Sequence, residues 1–132
     1  MEIILNRTVS DMSVITPMQV EARLRELGKE LDEAHRSLDS AERAYFTTKY
    51  EYEVGLAAAR LRIGESFSKR GIKGTVQERE DNATLETANL MMDHYTSEAI
   101  VRSARANTAR LRVQIDLVRS VGTSVRMSME LS

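Results

Sequence analysis

The first half of the chain carries a three-four alternation of apolar or small residues, held for about four heptads, and this repeat constrains the fold most. Residues at this spacing share one side of an α-helix and form the seam of a coiled coil. The repeat continues less strictly to Ile63. It predicts one long helix over residues 16–67 that packs against a partner helix. Its strict members are Val20, Leu24, Leu27, Leu31, Ala34, Leu38, Ala41, Tyr45, Thr48 and Tyr52.

Local signals mark the start and the end of this helix. Thr16, Pro17 and Gln19 fit an N-cap, a first-turn proline and a capping-box partner. Residues 68–75 combine two glycines with three basic side chains and contain no periodic apolar residue, which is typical of a turn. We call residues 68–75 the tip.

A second helix is predicted over residues 76–121. Thr75 and Glu78 have the spacing of a capping box, and Gly122 fits the residue that follows a helix end. One short connection between two long helices favours an antiparallel arrangement. The fold class is therefore mainly α, a long antiparallel helical hairpin with coiled-coil character. The seam predicted for the second helix is Leu85, Ala88, Met92, Tyr95, Ala99, Arg102, Ala106, Ala109, Val113 and Leu117.

The two ends of the chain show a different pattern. In residues 122–132 apolar residues alternate with polar ones, and residues 1–15 are rich in β-branched side chains near their start. A period of two predicts strands, which the hairpin would bring together at its base. A frayed N-terminal arm and a final helical turn after Gly122 remain the alternative.

Composition narrows the class of protein. The chain has 132 residues, which suits one domain, with 5% aromatic residues and no cysteine. A disulfide scaffold, a thiolate metal site and a catalytic thiol are excluded. The acidic start lacks the basic region of a secretory signal, and no apolar run approaches the roughly 18 residues of a membrane helix. We expect a cytoplasmic protein without membrane contact.

The formal net charge of −1 hides an uneven distribution. Residues 54–70 carry a local charge of +3, and residues 99–129 carry +5. Basic side chains beside flexible glycines suit phosphate contact, so Lys69, Arg70 and Lys73 at the tip are candidate nucleic-acid contacts. A solvated turn is the alternative interpretation of these residues.

Arg105, Arg112 and Arg119 recur every seven residues and form a stripe on one edge of the second helix. In an antiparallel hairpin centred near residue 71, Arg112 falls opposite Glu30, which predicts a structural ion pair. Arg119 falls opposite Arg23, and two like charges meet favourably only if an acidic partner, a phosphate or another subunit lies nearby. All three arginines are candidate phosphate contacts.

Most of the few aromatic residues cluster in the first helix. Tyr45 and Tyr52 occupy the seam and are predicted to belong to the core. Tyr50 lies off the seam and Phe67 adjoins the tip, so these two are the candidates for stacking on nucleic-acid bases.

The sequence offers little for catalysis. His35 and His94 lack further ligands at metal-binding spacing, and Glu51 and Glu53 diverge by about 200° around a helix. We expect no metal site, no cofactor and no enzymatic activity.

Taken in order, the heptad helix, the basic glycine tip at Lys69 to Gly74, the acid-led second helix and the basic end at Arg119 to Gly122 resemble the UvsY-type phage recombination mediators. The resemblance implies a phage-encoded, helical homo-oligomer that binds single-stranded DNA. It also implies that the protein helps a RecA-like recombinase displace single-strand-binding protein. What the resemblance implies for binding residues is limited to Lys69, Arg70 and Lys73 in the tip and to the three arginines of the stripe.

The rival hypothesis is a non-enzymatic structural, adaptor or inhibitor protein that acts through protein-protein contacts. Both hypotheses require self-association, because a two-helix hairpin has no further layer to cover apolar residues that flank its seam. The flanking residues expected to lie exposed in a monomer are Leu61, Leu90, Met91, Ile100 and Val101.

Overall fold

A computed structural model describes residues 15–131 of the chain. Within this range it contains three helices, α1 (Pro17–Lys69), α2 (Val76–Glu86) and α3 (Ala88–Leu131). The mainly helical fold class is thus confirmed. None of these helices has both the length and the apolar character needed to cross a bilayer.

The chain divides into two compact units. The terminal unit comprises Met1–Ser37 and Ala104–Ser132, of which residues 15–37 and 104–131 are described. Its core joins the first part of α1 to the last part of α3, with the two segments antiparallel. The buried core residues are Ile15, Val20, Leu27, Ala34, Leu111, Val118 and Val125.

The tip unit comprises Leu38–Ser103 and contains the rest of α1, the tip, α2 and the start of α3. Here too the facing segments are antiparallel, since Gly55 lies against Leu90 while Arg60 pairs with Glu80. Ala59 and Ala83 are completely buried. The interior of this unit therefore relies on small side chains.

The seam predicted for the first helix is confirmed along α1. Every member from Val20 to Ile63 is buried or half-buried. The rings of Tyr45 and Tyr52 lie 5.2 and 5.8 Å from the ring of His94, as expected for residues that face inward. Periodicity alone identified the inner face of α1.

The seam predicted for the second helix is wrong, because all of its members are exposed. Leu85 retains 76% of its accessible surface, and Met92 retains 64%. The inner face lies on the other side of α2 and α3. It comprises Ala83, Thr87, Ser97, Val101, Thr108, Leu111, Val118 and Val125.

Hydroxyl groups explain why this inner face was missed. Thr87 and Thr108 are 4% and 3% exposed, yet their hydroxyls donate to the carbonyls of Ala83 and Ala104 at 2.8 and 3.1 Å. A hydroxyl that bonds to its own helix leaves a small, largely apolar surface toward the partner helix. Polar residue types thus occupy positions where a hydrophobicity pattern predicts apolar ones.

The strand predicted for residues 122–132 is wrong, because α3 continues to Leu131. Gly122 is not a helix end but a buried position inside α3, where an added Cβ would lie 2.9 Å from Cγ1 of Val20. Glycine at this site permits close approach of α1. The strand predicted near the start of the chain falls on residues outside the described range.

The prediction that the apolar residues flanking the seam lie exposed is confirmed only in part. Leu61 and Ile100 are 72% and 54% exposed, whereas Val101 is 5% exposed and belongs to the inner face. Leu90 and Met91 are half-buried. The expectation for Val101 was wrong because it rested on the wrong seam.

Two glycines of the terminal unit give a matched test of this packing. Alanine at Gly28 meets nothing within 4 Å, so Gly28→Ala should stabilise the helix by about 0.5–1 kcal/mol. Gly122→Ala should lose that gain and destabilise the protein, because the branched Val20 side chain cannot move away freely. Urea unfolding followed by circular dichroism measures both. Equal stabilisation by the two variants would contradict the close approach at Gly122.

Candidate nucleic-acid interface

The tip is a defined structure held from both sides. At the end of α1 the amide of Ile72 donates to the Phe67 carbonyl at 3.0 Å, and the amide of Gly71 donates to the Ser68 carbonyl at 3.1 Å. This pair of bonds is a Schellman motif, and Gly71 has the left-handed φ of +67° that it requires. The carbonyls of Phe67 and Ser68 in the last turn of α1 are thereby satisfied without a ligand.

The start of α2 is capped as the sequence predicted. The Thr75 hydroxyl accepts from the amide of Glu78 at 3.0 Å, and the Glu78 carboxylate accepts from the amide of Thr75 at 3.3 Å. Gly74 precedes this cap with a φ of +56°, and an added Cβ would lie within 2.6 Å of the Phe67 ring. Phe67 is therefore packed directly against the backbone of the tip.

Four basic side chains surround this structure: Lys69, Arg70, Lys73 and Arg79, all of them exposed. Among residues 15–131, none of the four has an ion pair within 4.0 Å. We call them the tip cations. The capping-box acid Glu78 contributes one negative charge, so the four tip cations outnumber it.

An aromatic surface lies among these cations. The guanidinium carbon of Arg70 is 5.1 Å from the centre of the half-buried Phe67 ring, and Nε of Arg70 donates to the Ser66 carbonyl at 3.4 Å. A shallow groove beside them is lined by backbone and side chains of Phe67, Gly71, Gly74 and Lys73, and by Arg79. A planar guanidinium held over a ring offers both a stacking surface and phosphate donors.

Arg79 is a fourth candidate contact that is absent from the residues predicted from the sequence. It lies in a segment whose charge balance is acidic, so counting charges by segment hid it. The available signal was its position in the first turn of α2, four residues after the Thr75 cap. The carbonyl of Thr75 accepts from the amide of Arg79 at 3.1 Å, which fixes this residue beside the tip.

Two of the arginines that give residues 54–70 their positive charge are neutralised by ion pairs. Nε of Arg60 donates to both carboxylate oxygens of Glu80 at 3.1 Å, and Nε of Arg62 donates to Glu86 at 3.0 Å. These bonds join α1 to α2. The positive charge of residues 54–70 therefore concentrates on the tip.

The predicted stacking residues are not brought together. Tyr50 is 68% exposed, but at about 1.5 Å per residue it lies about 25 Å from Phe67 along α1. Of the two, only Phe67 lies against the tip. Tyr50 belongs to a different face of the tip unit.

The three arginines of the stripe lie in the terminal unit, and the tip cations lie in the tip unit. Arg105 is exposed and already has an interaction partner within the chain. The ion pair predicted between Arg112 and Glu30 is not found; Arg112 instead lies 3.2 Å from Nε2 of His35.

Arg119 is largely exposed, and its guanidinium is 3.9 Å from the carboxylate of Asp116 on its own helix. Arg23, its expected opposite, is 7% exposed and pairs with Glu26 at 2.9 Å. Each arginine thus has an acid on its own helix, while Nη2 of Arg23 is buried without a hydrogen-bond partner.

No group of three or more histidine or acidic residues that could hold a metal ion occurs between residues 15 and 131. Comparison with known proteins adds no relative: no family model, no curated protein and no solved structure matches the chain. The geometry of the tip is therefore the basis for a functional proposal.

The bond between Arg60 and Glu80 gives a pH-dependent prediction. The hydrogen bond from Arg60 holds the pKa of the Glu80 carboxyl below its usual value, although partial desolvation opposes this effect. A lowered pKa in the folded state means that the stabilising contribution is present above the unfolded pKa and is lost as pH falls through the folded pKa. Arg60→Gln should raise the pKa of Glu80 toward its usual value.

Carbon-detected NMR titration of the glutamate carboxyls measures this change. Arg62→Gln is the matched control, because it removes the neighbouring ion pair with Glu86 and should leave the Glu80 titration in place. An unchanged Glu80 pKa in Arg60→Gln would show that the bond between the two side chains does not form in solution.

Proposed function

We propose that the chain is a non-enzymatic protein that binds single-stranded DNA through its tip. The observation that carries this proposal is the set of four exposed cations around the Schellman motif, with Arg70 lying over Phe67. Phosphate groups are bound by arginine and lysine side chains and by exposed backbone amides at glycine turns. An unpaired base can stack on the Arg70 and Phe67 surface.

Single strands fit this surface better than a duplex. The tip has no helix or ribbon that extends beyond it to enter a major groove, since α1 ends at Lys69 and α2 begins at Val76. A flexible single strand can instead place a phosphate on the cations and a base on the ring in one contact. Such contacts are weak individually and tolerant of sequence.

The stripe of Arg105, Arg112 and Arg119 supplies a secondary contact in this proposal. Arg119 supports it best, because its long ion pair with Asp116 is exposed to solvent and is worth little energetically. A phosphate can compete with such a pair. To bind a phosphate, Arg105 and Arg112 would each first have to release the partner that they contact within the chain.

The biological role in this proposal is that of a phage-encoded recombination mediator in the host cytoplasm. It follows from the resemblance to the UvsY-type proteins, which implies loading of a RecA-like recombinase and displacement of single-strand-binding protein. A homo-oligomer would present several tips along one strand, and multivalency would compensate for weak single contacts.

A structural or adaptor protein is the second candidate. The observation that favours it is the row of exposed apolar residues on the outer sides of α1 and α3, which suits protein-protein contact. Nucleic-acid binding separates the two candidates, because an adaptor has no need for the tip cations.

Charge reversal at the tip tests the proposal. The variant Lys69→Glu, Arg70→Glu, Lys73→Glu changes exposed positions outside both helix interfaces, so it should keep the fold and lose most affinity for a labelled oligonucleotide. The matched control is Arg25→Glu, Lys29→Glu, Arg36→Glu, which makes the same charge change at exposed positions of α1 in the terminal unit. The control should lose much less affinity.

Salt dependence provides a second readout in the same fluorescence-anisotropy titration. The logarithm of affinity should fall with the logarithm of salt concentration by about 0.7 per phosphate contacted, and the tip variant should show a smaller slope. Equal losses in the tip variant and the control would reject a specific role for the tip. Absence of any binding by the wild-type protein would favour the adaptor.

A further inference from the structure

A cavity of the tip unit lies between the last turns of α1 and of α2, next to the tip. Its volume is about 420 Å³, which falls in the range of small-molecule binding sites. Its apolar walls are Ile63 and Phe67 of α1 and Leu85 of α2. We call it the α1–α2 cavity. Four polar residues complete its lining, namely Ser66, Arg70, Asn82 and Glu86.

The apolar walls suit a flat, partly apolar ligand. Leu85 is 76% exposed, while Ile63 and Phe67 are half-buried. A nucleic-acid base that packs on these side chains removes their remaining apolar surface from water. The cavity is also continuous with the tip cations, because Arg70 lines it and Phe67 lines both the cavity and the groove of the tip. A nucleotide with its base in the cavity can therefore place its phosphate at the tip.

A hydrogen bond of Asn82 determines which of its polar atoms is available to a ligand. Nδ2 of Asn82 donates to the Glu78 carbonyl at 2.9 Å. A carbonyl oxygen only accepts, so this bond holds the nitrogen of the amide toward the helix backbone. Oδ1 of Asn82 receives no hydrogen bond from the described part of the chain. Asn82 therefore offers an acceptor to the cavity.

Glu86 offers a second acceptor. Nε and Nη2 of Arg62 both donate to the same oxygen of Glu86, Oε1, with the Nε contact at 3.0 Å. Within residues 15–131, no donor reaches the other oxygen, Oε2. The ion pair with Arg62 thus fixes the carboxylate and leaves one of its oxygens for a ligand.

The other two polar residues do not select between bases. The Arg70 guanidinium is one of the tip cations, and in the proposed function it binds phosphate. The Ser66 hydroxyl can either donate or accept, so it adapts to any base edge. Selection then depends on the acceptors of Asn82 and Glu86. Two acceptors favour a base edge that donates a hydrogen bond over one that presents a carbonyl oxygen.

We propose that the α1–α2 cavity binds an unpaired base that carries an exocyclic amino group, as cytosine and adenine do. The amino group donates to Oδ1 of Asn82 or to Oε2 of Glu86, and a carboxylate is the usual acceptor for the amino group of cytosine. Uracil and thymine present a carbonyl oxygen at the same position, where it meets an acceptor. This inference rests on the proposed binding of single-stranded DNA and adds a modest base preference to it.

Oligodeoxycytidine and oligodeoxyuridine of equal length test the preference with the full chain. They share the backbone and the ring size, neither carries a 5-methyl group, and they differ only at the exocyclic group and the adjacent ring nitrogen. One hydrogen bond changes affinity by about fivefold. In fluorescence anisotropy the wild-type protein should therefore bind oligodeoxycytidine about fivefold more tightly.

Glu86→Gln is the sharpest variant. An amide nitrogen cannot accept, so Arg62 keeps the oxygen of the new amide and the NH₂ group takes the place of Oε2. A donor then replaces an acceptor, and the preference for oligodeoxycytidine should vanish or reverse. Asn82→Ala removes the other acceptor at an exposed position and should reduce the preference.

Glu80→Gln is the matched control. Glu80 is also on α2, is also paired with an arginine of α1, and has a side chain that is 42% exposed, against 41% for Glu86. It does not line the α1–α2 cavity. The control changes the charge equally, so it should alter the affinity for both oligonucleotides by the same factor and keep the wild-type preference.

The outcomes separate this inference from the proposed function. Equal affinity of the wild-type protein for the two oligonucleotides would overturn the base preference and leave binding at the tip in place. An equal loss of preference in Glu86→Gln and Glu80→Gln would also overturn it, since charge alone would then explain the effect. Absence of binding to either oligonucleotide would reject the proposed function together with this inference. If Glu86→Gln loses its helical circular dichroism, an unchanged preference in Asn82→Ala overturns the inference.

Discussion

The close packing of α1 against the second half of the chain depends on small side chains whose polar groups are already satisfied. The hydroxyls of Thr87 and Thr108 donate hydrogen bonds to carbonyls one helical turn earlier. Ala59 and Ala83 are completely buried and have small side chains. A buried hydroxyl without a partner would be costly, so these bonds are what allow threonine at the interface. Because the fully buried residues of the tip unit are small, many of its large apolar side chains lie on the outside.

This arrangement explains which parts of the fold could be predicted from the sequence. The inner face of α1 is both the most apolar and the most regular face, so periodicity identified it. The caps at Thr16 and Thr75 use side chains that act within three residues, and both were found where predicted. Local hydrogen bonding and regular burial are visible in one sequence.

The features that could not be predicted depend on contacts between residues distant along the chain, such as which of the two apolar faces of α3 packs against α1. On α3 the predicted seam has four large apolar residues, and the inner face also has four, so apolar content did not separate the two faces. The four on the seam are Met92, Tyr95, Val113 and Leu117, and the four on the inner face are Val101, Leu111, Val118 and Val125. Gly122 resembles a helix end in sequence, but its role is set by Val20, which is distant along the chain. The charges of Arg60 and Arg62 are likewise neutralised by residues that are distant along the chain, namely acids on α2.

The Schellman motif and the capping box have a consequence for proteolysis. Lys69, Arg70 and Lys73 are the residue types that trypsin recognises, and they lie in an exposed, glycine-containing turn. A protease binds its substrate as extended backbone, which the tip can supply only by opening the bonds at Ile72, Gly71 and Thr75. Exposure and susceptibility to cleavage are thus separated at this turn, because its trypsin sites are held by the backbone hydrogen bonds of the tip.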